Sequence, residues 1–268
     1  MKNQYKPFTF RSVAMRLKII PQRALTQWRG AAETICLPFD EVHIWSAGLR
    51  VGGAALCTCW DLLSPEEKRV ALCHRFAKDR RKFVVTRALL RQILARYAGR
   101  ATAELYFDFN SGGKPVLRGA ESLHFSVSHS QDLALLAIAR SQVGIDVECV
   151  QTIVPRQAVI EQYLARPEWS HLQALPPKAR AVALCRCWTQ KEAVLKALGV
   201  GLLYPPRNVN VLADGRKSHV VSALGRNWLV RRVDAPVGYA AAVAIEQPNC
   251  RLKWRQWRVH VEPFSPGS

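Results

Sequence analysis

A chain of 268 residues, 49% hydrophobic and 22% charged, is ample for a globular core, built as one large domain or two small ones. No apolar run is long enough to cross a bilayer as a helix. The net charge of +19 calls for an acidic counterpart: nucleic acid, a membrane surface, a polyanionic cofactor or an acidic protein.

The first 32 residues carry Lys2, Lys6, Arg11, Arg16, Lys18, Arg23 and Arg29 and no acid. That is transit-peptide-like but lacks the apolar core of a secretory signal, so residues 1–40 are expected to form a poorly ordered basic extension. Glu41 to Leu49 reads as an entry strand with Val42 and Ile44 on one face. Ser64-Pro65-Glu66-Glu67 is a helix start, with Ser as N-cap, Pro at N1 and acids in the first turn. The helical pattern then runs, with an interruption, through Arg80 to Tyr97. Asn110 to Gly113 is a turn. Leu123 to Ser128 and Leu133 to Ala139 read as strands joined at Ser130-Gln131. With Val143 to Glu148 they are predicted to make a three-strand antiparallel unit. Val159 to Leu164 reads as helix, and Pro176-Pro177 opens a further segment. Ala179 to Leu198 is the strongest helix, closed by Gly199 and Gly201. Late strands are predicted at Val209 to Leu212, His219 to Leu224, Trp228 to Val233 and Tyr239 to Ile245. Arg251 to Arg258 reads as a last strand with Leu252 and Trp254 facing one way; base stacking on its tryptophans is the other reading. The tail from Pro263 to Ser268 is expected to be disordered.

Helix, strands, helix, strands thus occurs twice, before and after about residue 150, with no visible sequence repeat. The expected class is α+β with two sheets. The chain divides into an extension at 1–40, halves at 41–150 and 151–250, and a strand and tail at 251–268.

The eight cysteines include two C-x-C pairs but no C-x-x-C and no Cys–His set at finger spacing. They read as reduced, hydrophobe-like residues of a cytosolic protein. His43, His74, His124, His171, His219 and His260 read as structural.

In Val143 to Glu148 the apolar residues face one way and Asp146 and Glu148 the other. Two carboxylates so close are unfavourable unless a cation neutralises them. On the long helix, Trp188, Glu192 and Lys196 are spaced i, i+4, i+8 and project from one side. A carboxylate from that helix would complete a three-carboxylate set suited to a Mg²⁺ that also binds phosphates. The bland alternatives are a solvent-facing strand end, a Glu192–Lys196 surface pair and a solvated basic helix.

Four segments then stand in order: G-K-P at 113–115, F-x-x-S-H at 125–129, G-I-D-x-E at 144–148 and W-x-x-K-E-A-x-x-K at 188–196. Together they resemble the signature of the 4′-phosphopantetheinyl transferases, in the larger monomeric class typified by the surfactin-synthetase activator. The resemblance covers roughly residues 60 to 245. It implies two similar α+β halves related by a pseudo-twofold, with the active site between them. It implies an enzyme that moves 4′-phosphopantetheine from coenzyme A to a serine of an acidic apo acyl or peptidyl carrier protein. Such an enzyme is Mg²⁺-dependent, monomeric and cytoplasmic, with neither membrane nor nucleic acid expected as partner.

By the same resemblance Asp146, Glu148 and Glu192 would hold the metal, and Glu192 is the candidate general base. Lys196 would act in catalysis and, with Lys191, neutralise the pyrophosphate. Ser128 and His129 would donate to phosphate oxygens, and Lys114 would lie at the nucleotide end. Arg80 and Arg87 would meet the 3′-phosphate bidentately, while Arg81 and Lys82 read equally well as a solvated face. Trp188 is expected to pack in the core. The alternative is a non-catalytic binding protein of the same fold, using its basic surface for nucleic acid or an acidic partner; three acids kept together speak against it.

Overall fold

The structure, a computed structural model, describes residues 34–152, 160, 162–212 and 216–259. The basic extension before residue 34 and the tail beyond 259 lie outside the described residues, as do Val159 and Glu161 of the helix expected at Val159 to Leu164, of which Ile160, Gln162 and Tyr163 are helical.

The first half runs β1 (Glu41–Gly48), α1 (Gly53–Asp61), α2 (Pro65–Cys73), α3 (Ala77–Ala98), β2 (Phe107–Phe109), β3 (Pro115–Leu117), β4 (His124–Ser130) and β5 (Leu133–Ala139). The second runs β6 (Val143–Cys149), α4 (Arg166–Ala174), α5 (Pro177–Leu198), β7 (Ser218–Ala223), β8 (Arg226–Arg232) and β9 (Tyr239–Ile245), followed by β10 (Arg251–Gln256), so that by sheet pairing β6 goes with the second half and not, as the expected boundary at residue 150 had it, with the first. The class is α+β, as expected.

Local chemistry accounts for the helix ends. At α2 the Ser64 hydroxyl accepts from Glu67 N while the Glu67 carboxylate accepts from Ser64 N, so two orphan donors are satisfied. Pro177 opens α5, where its missing N–H costs nothing. Gly199 closes it at φ 69°, a conformation costly for any residue with a Cβ.

Two four-stranded sheets result, in the orders β10-β1-β5-β4 and β6-β9-β8-β7. In each half the first strand pairs antiparallel with the last, β1 with β5 and β6 with β9. β10 returns from the second half to lie parallel to β1, with Arg251 opposite Glu41. Val42, Ile44, Leu135 and Ala137 of the first sheet and Val143, Ile145, Val147 and Val243 of the second form one apolar layer that joins the halves. Two further cores lie under the helices of each half. Among the described residues no helix is long and apolar enough to cross a membrane.

Three sequence expectations change. β6 is not a third strand beside β4 and β5. Its backbone pairs with β9, and it meets β4 through side chains. Closeness in sequence suggested the neighbour, but the small, apolar Tyr239–Ile245 run is what covers its backbone edge. Val209 to Leu212 is not a strand, because its amides are taken outside any ladder: Val209 N donates to Pro206 O, Val211 N to Glu168 and Leu212 N to Asn210. The short α1 and the β2–β3 hairpin were not foreseen.

Candidate active site

The site begins with a close approach. A Cβ on Gly144 would stand 2.0 Å from the Ala193 carbonyl oxygen, so only glycine lets α5 lie flat on β6. That contact brings Lys196 to Asp146, with Nζ 2.6 Å from Oδ1. Across the seam, β4 offers serines at alternate positions. Ser126 Oγ accepts from Ile145 N at 3.1 Å, and Ser128 Oγ donates to Asp146 Oδ1 at 2.7 Å. Ser130 Oγ donates to Glu148 Oε2 at 2.7 Å and accepts from Cys149 N at 3.0 Å. The two sheets are thus stitched here by hydroxyls, and two of the three hold the acids. Tyr163 donates its hydroxyl to Glu192 Oε1, and its ring stacks on Trp188 with centroids 3.7 Å apart and planes 8° apart.

The electrostatics are those of a crowded acid cluster. Burial raises the Glu148 carboxyl above its usual range; the Ser130 hydrogen bond opposes this and Asp146 adds to it. Burial raises Glu192 too, with the Tyr163 hydrogen bond and Lys196 opposing and Asp146 adding. Asp146 is 2% exposed, and its Oδ2 is buried without a hydrogen-bond partner. A buried carboxylate oxygen with no donor lacks a cation or a proton. Among the described residues no three acid, histidine or cysteine side chains already stand as a ligand set; the nearby positive charge is Lys196. The donor types, carboxylates from β6 and α5 with one oxygen of Asp146 left unpartnered, suit a hard divalent cation.

One cavity opens on the cluster, and a second lies between the start of α3 and the β4–β5 turn. The first, of about 310 Å³, is lined by Gly113, Lys114, Phe125, Ser126, Glu192 and Lys196 among others. Its wall is the turn at Asn110–Gly113, pressed onto the end of α5. Asn110 Nδ2 donates to Gly199 O at 3.0 Å, and a Cβ on Gly112 would meet that oxygen at 2.0 Å. Lys114 Nζ donates to Val143 O at 2.9 Å, with Gln142 Oε1 at 3.3 Å and Ala197 O at 3.4 Å. Burial pushes its pKa down to about 8.

The other cavity, of about 470 Å³, is bounded by Arg50, Lys78, Arg81, Lys82, Gln131 and Asp132. Arg50 pairs with Asp132 at 2.7 Å, while Lys78, Arg81 and Lys82 have no ion-pair partner among the described residues. His129 is exposed on β4. Its pKa lies below the usual imidazole range through desolvation first, then the Lys196 and Lys82 ammonium groups.

The structure therefore gathers Asp146, Glu148, Glu192, Lys196 and Ser128, with Lys114 in the adjoining wall and His129 alongside. Ser128 holds Asp146, not an open anion site. Lys191 is elsewhere: fully buried on another face of α5, it pairs with Glu168 at 2.7 Å and donates to the Pro206 and Val209 carbonyls. One residue from Glu192 is a rotation of about 100° on a helix. Arg87 is held by Glu67 at 2.6 Å, and Arg80 is exposed and lines neither cavity. The basic cleft is built instead from Lys78, Arg81 and Lys82, a helical face displaced from the expected one. The serine alternation of β4 was there to be read; Tyr163 carried no motif.

Residues 142–244 match the family model described as the 4′-phosphopantetheinyl transferase superfamily, and residues 53–141 match that of the 4′-phosphopantetheinyl transferase N-terminal region. The chain is 36% identical over 179 residues to the 4′-phosphopantetheinyl transferase HetI of Nostoc sp., covering 65% of this chain and 76% of the relative. It is 30% identical to psf-1 of Bacillus pumilus over 53% of this chain and 60% of the relative. It is 27% identical to a 4′-phosphopantetheinyl transferase of Bacillus subtilis over 66% of this chain and 80% of the relative.

Proposed function

The chain belongs to the 4′-phosphopantetheinyl transferase superfamily, and on that premise we propose that it loads 4′-phosphopantetheine from coenzyme A onto a serine of an apo acyl or peptidyl carrier protein. The observation that carries this reading is the set of Asp146, Glu148, Glu192 and Lys196 gathered where β4 meets β6 and α5. A non-catalytic polyanion binder has no use for a buried acid cluster beside a basic cleft.

In the proposed reaction the carrier serine Oγ attacks the phosphorus that bears pantetheine. The new O–P bond forms as the pyrophosphate bridge breaks, and the electron pair leaves with adenosine 3′,5′-bisphosphate. Glu192 takes the serine proton; burial raises its pKa toward the working pH, which suits a general base. Lys196 stabilises the charge growing on the leaving phosphate. Lys78, Arg81 and Lys82, with His129 at hand, receive the bisphosphate end. Asp146, Glu148 and Glu192 would hold a Mg²⁺, which when bound neutralises the pyrophosphate. The +19 surface draws in an acidic carrier. Both halves of the site come from one chain, and the enzyme works as a cytoplasmic monomer.

The test is mass spectrometry of an apo acyl carrier protein incubated with this protein, coenzyme A and Mg²⁺. The carrier should gain one phosphopantetheine, and EDTA should stop the gain. A carrier of unchanged mass, with apo acyl and apo peptidyl carriers both tried, would refute the assignment.

A further inference from the structure

On a helix, a glutamate four residues before a lysine ordinarily pairs with it. Glu192 and Lys196 have that spacing, yet Lys196 Nζ stands 2.6 Å from Asp146 and Glu192 Oε1 is held by Tyr163. Lys196 is thereby left to the acid of β6 and to whatever enters the cavity. The hydroxyl that holds Glu192 belongs to a ring that cannot wander. It is buried, and it lies face to face on Trp188, one turn before Glu192 on the same side of α5. A phenol is protonated near neutral pH, so it reaches a carboxylate only as a donor.

We propose that Tyr163 is the positioning residue of this site: stacked on Trp188, its hydroxyl engages one carboxylate oxygen of Glu192, holds that side chain off Lys196 and leaves the second oxygen for the cavity. This rests on the function proposed above. A phenylalanine here would fill the same space and keep the stack, so packing alone does not call for the hydroxyl. Without it, Glu192 is free to close the i, i+4 pair with Lys196. Both groups would then be withdrawn from the reaction at once.

The experiment uses Tyr163→Phe in the full-length protein, alone and combined with Glu192→Gln. Initial rates against coenzyme A separate kcat from KM, electron paramagnetic resonance measures Mn²⁺ affinity, and thermal melting monitors the fold. Tyr163→Phe should lower kcat by roughly tenfold to a hundredfold with KM for coenzyme A little changed, and should weaken Mn²⁺ binding. In the Glu192→Gln background it should change both quantities far less, because a neutral amide does not form the ion pair with Lys196 that the hydroxyl prevents. A Tyr163→Phe protein with unchanged kcat or unchanged Mn²⁺ affinity overturns the proposal. So does an equal loss in both backgrounds. Failure of the unsubstituted protein to load a carrier would instead refute the function itself.

Discussion

In the first half, Glu67 is the third residue of α2 and accepts from the amide that starts the helix, Ser64 N, at 2.9 Å. In the second, Glu168 is the third residue of α4 and accepts from Ala165 N at 2.7 Å. Each then holds a buried cation of the following helix, and α3 and α5 are both 22 residues long. That cation is Arg91 in α3 and Lys191 in α5, at the same distance from the helix start. Each reaches on to two carbonyls beyond its helix: Thr102 and Leu105 for Arg91, Pro206 and Val209 for Lys191. Both helices end on a left-handed glycine, Gly99 and Gly199. One position further along, the halves part. Gln92 accepts from the Trp257 indole at 2.8 Å, whereas Glu192 faces the acid cluster. The capped glutamate and its cation are scaffold, and the chemistry sits on the next residue of one half only.

The sharpest way to break this comparison is to make the halves alike. Glu192→Gln puts the first half's amide at the site, and transfer should fall roughly a hundredfold to ten-thousandfold while folding is little changed. Gln92→Leu should leave the rate alone. A Glu192→Gln protein with near-normal kcat would mean that the two positions do not differ in role.

The scaffold makes the next prediction. Lys191→Met leaves Glu168 buried without its cation and should cost about 3–5 kcal/mol in urea unfolding. Arg91→Met should cost less, because Arg87 stays on Glu67 at 2.6 Å. Equal losses would show that the second arginine adds nothing. Gln92→Leu strips the Trp257 indole of its acceptor and should cost about 1 kcal/mol.

Much of this was legible in the sequence. The capping box at Ser64–Glu67, the strand of Asp146 and Glu148 and the long helix with Glu192 all follow from short-range rules. Three features did not. β6 found its partner in β9 at the far end of the chain, and nothing in the three-residue link from Ala139 distinguishes that from pairing with its neighbour. Lys191 sits inside the W-x-x-K-E motif, and only the buried Glu168 reveals that it faces away from Glu192. Arg87 was read as a phosphate ligand because its acid, Glu67, lies on another helix. In each case the deciding group is distant in sequence and shows no periodicity of its own.

An effect smaller than the loss of a buried cation concerns the clamp between the halves. Lys114 has a pKa of about 8 when folded and an ordinary value of about 10.4 when unfolded. Between these, the unfolded chain binds the proton and the folded one does not, so this residue makes stability rise with pH. From pH 7.5 to 9.5 the protein should therefore gain stability relative to Lys114→Met in parallel urea titrations. Curves that stay a constant distance apart would show that Lys114 is not held as a desolvated amine.

The central claim is that the acids on the seam of the two halves carry out the transfer. Asp146 tests it most directly, because its Oδ2 is buried without a donor while Oδ1 binds Ser128 and Lys196. Asp146→Ala should be assayed by mass spectrometry of an apo carrier with coenzyme A and Mg²⁺, beside its urea unfolding curve. Conversion of the carrier should stop while the unfolding midpoint stays close to that of the parent, since removing one of three crowded acids relieves repulsion. A folded Asp146→Ala protein that loads the carrier at near the parent rate would contradict the account.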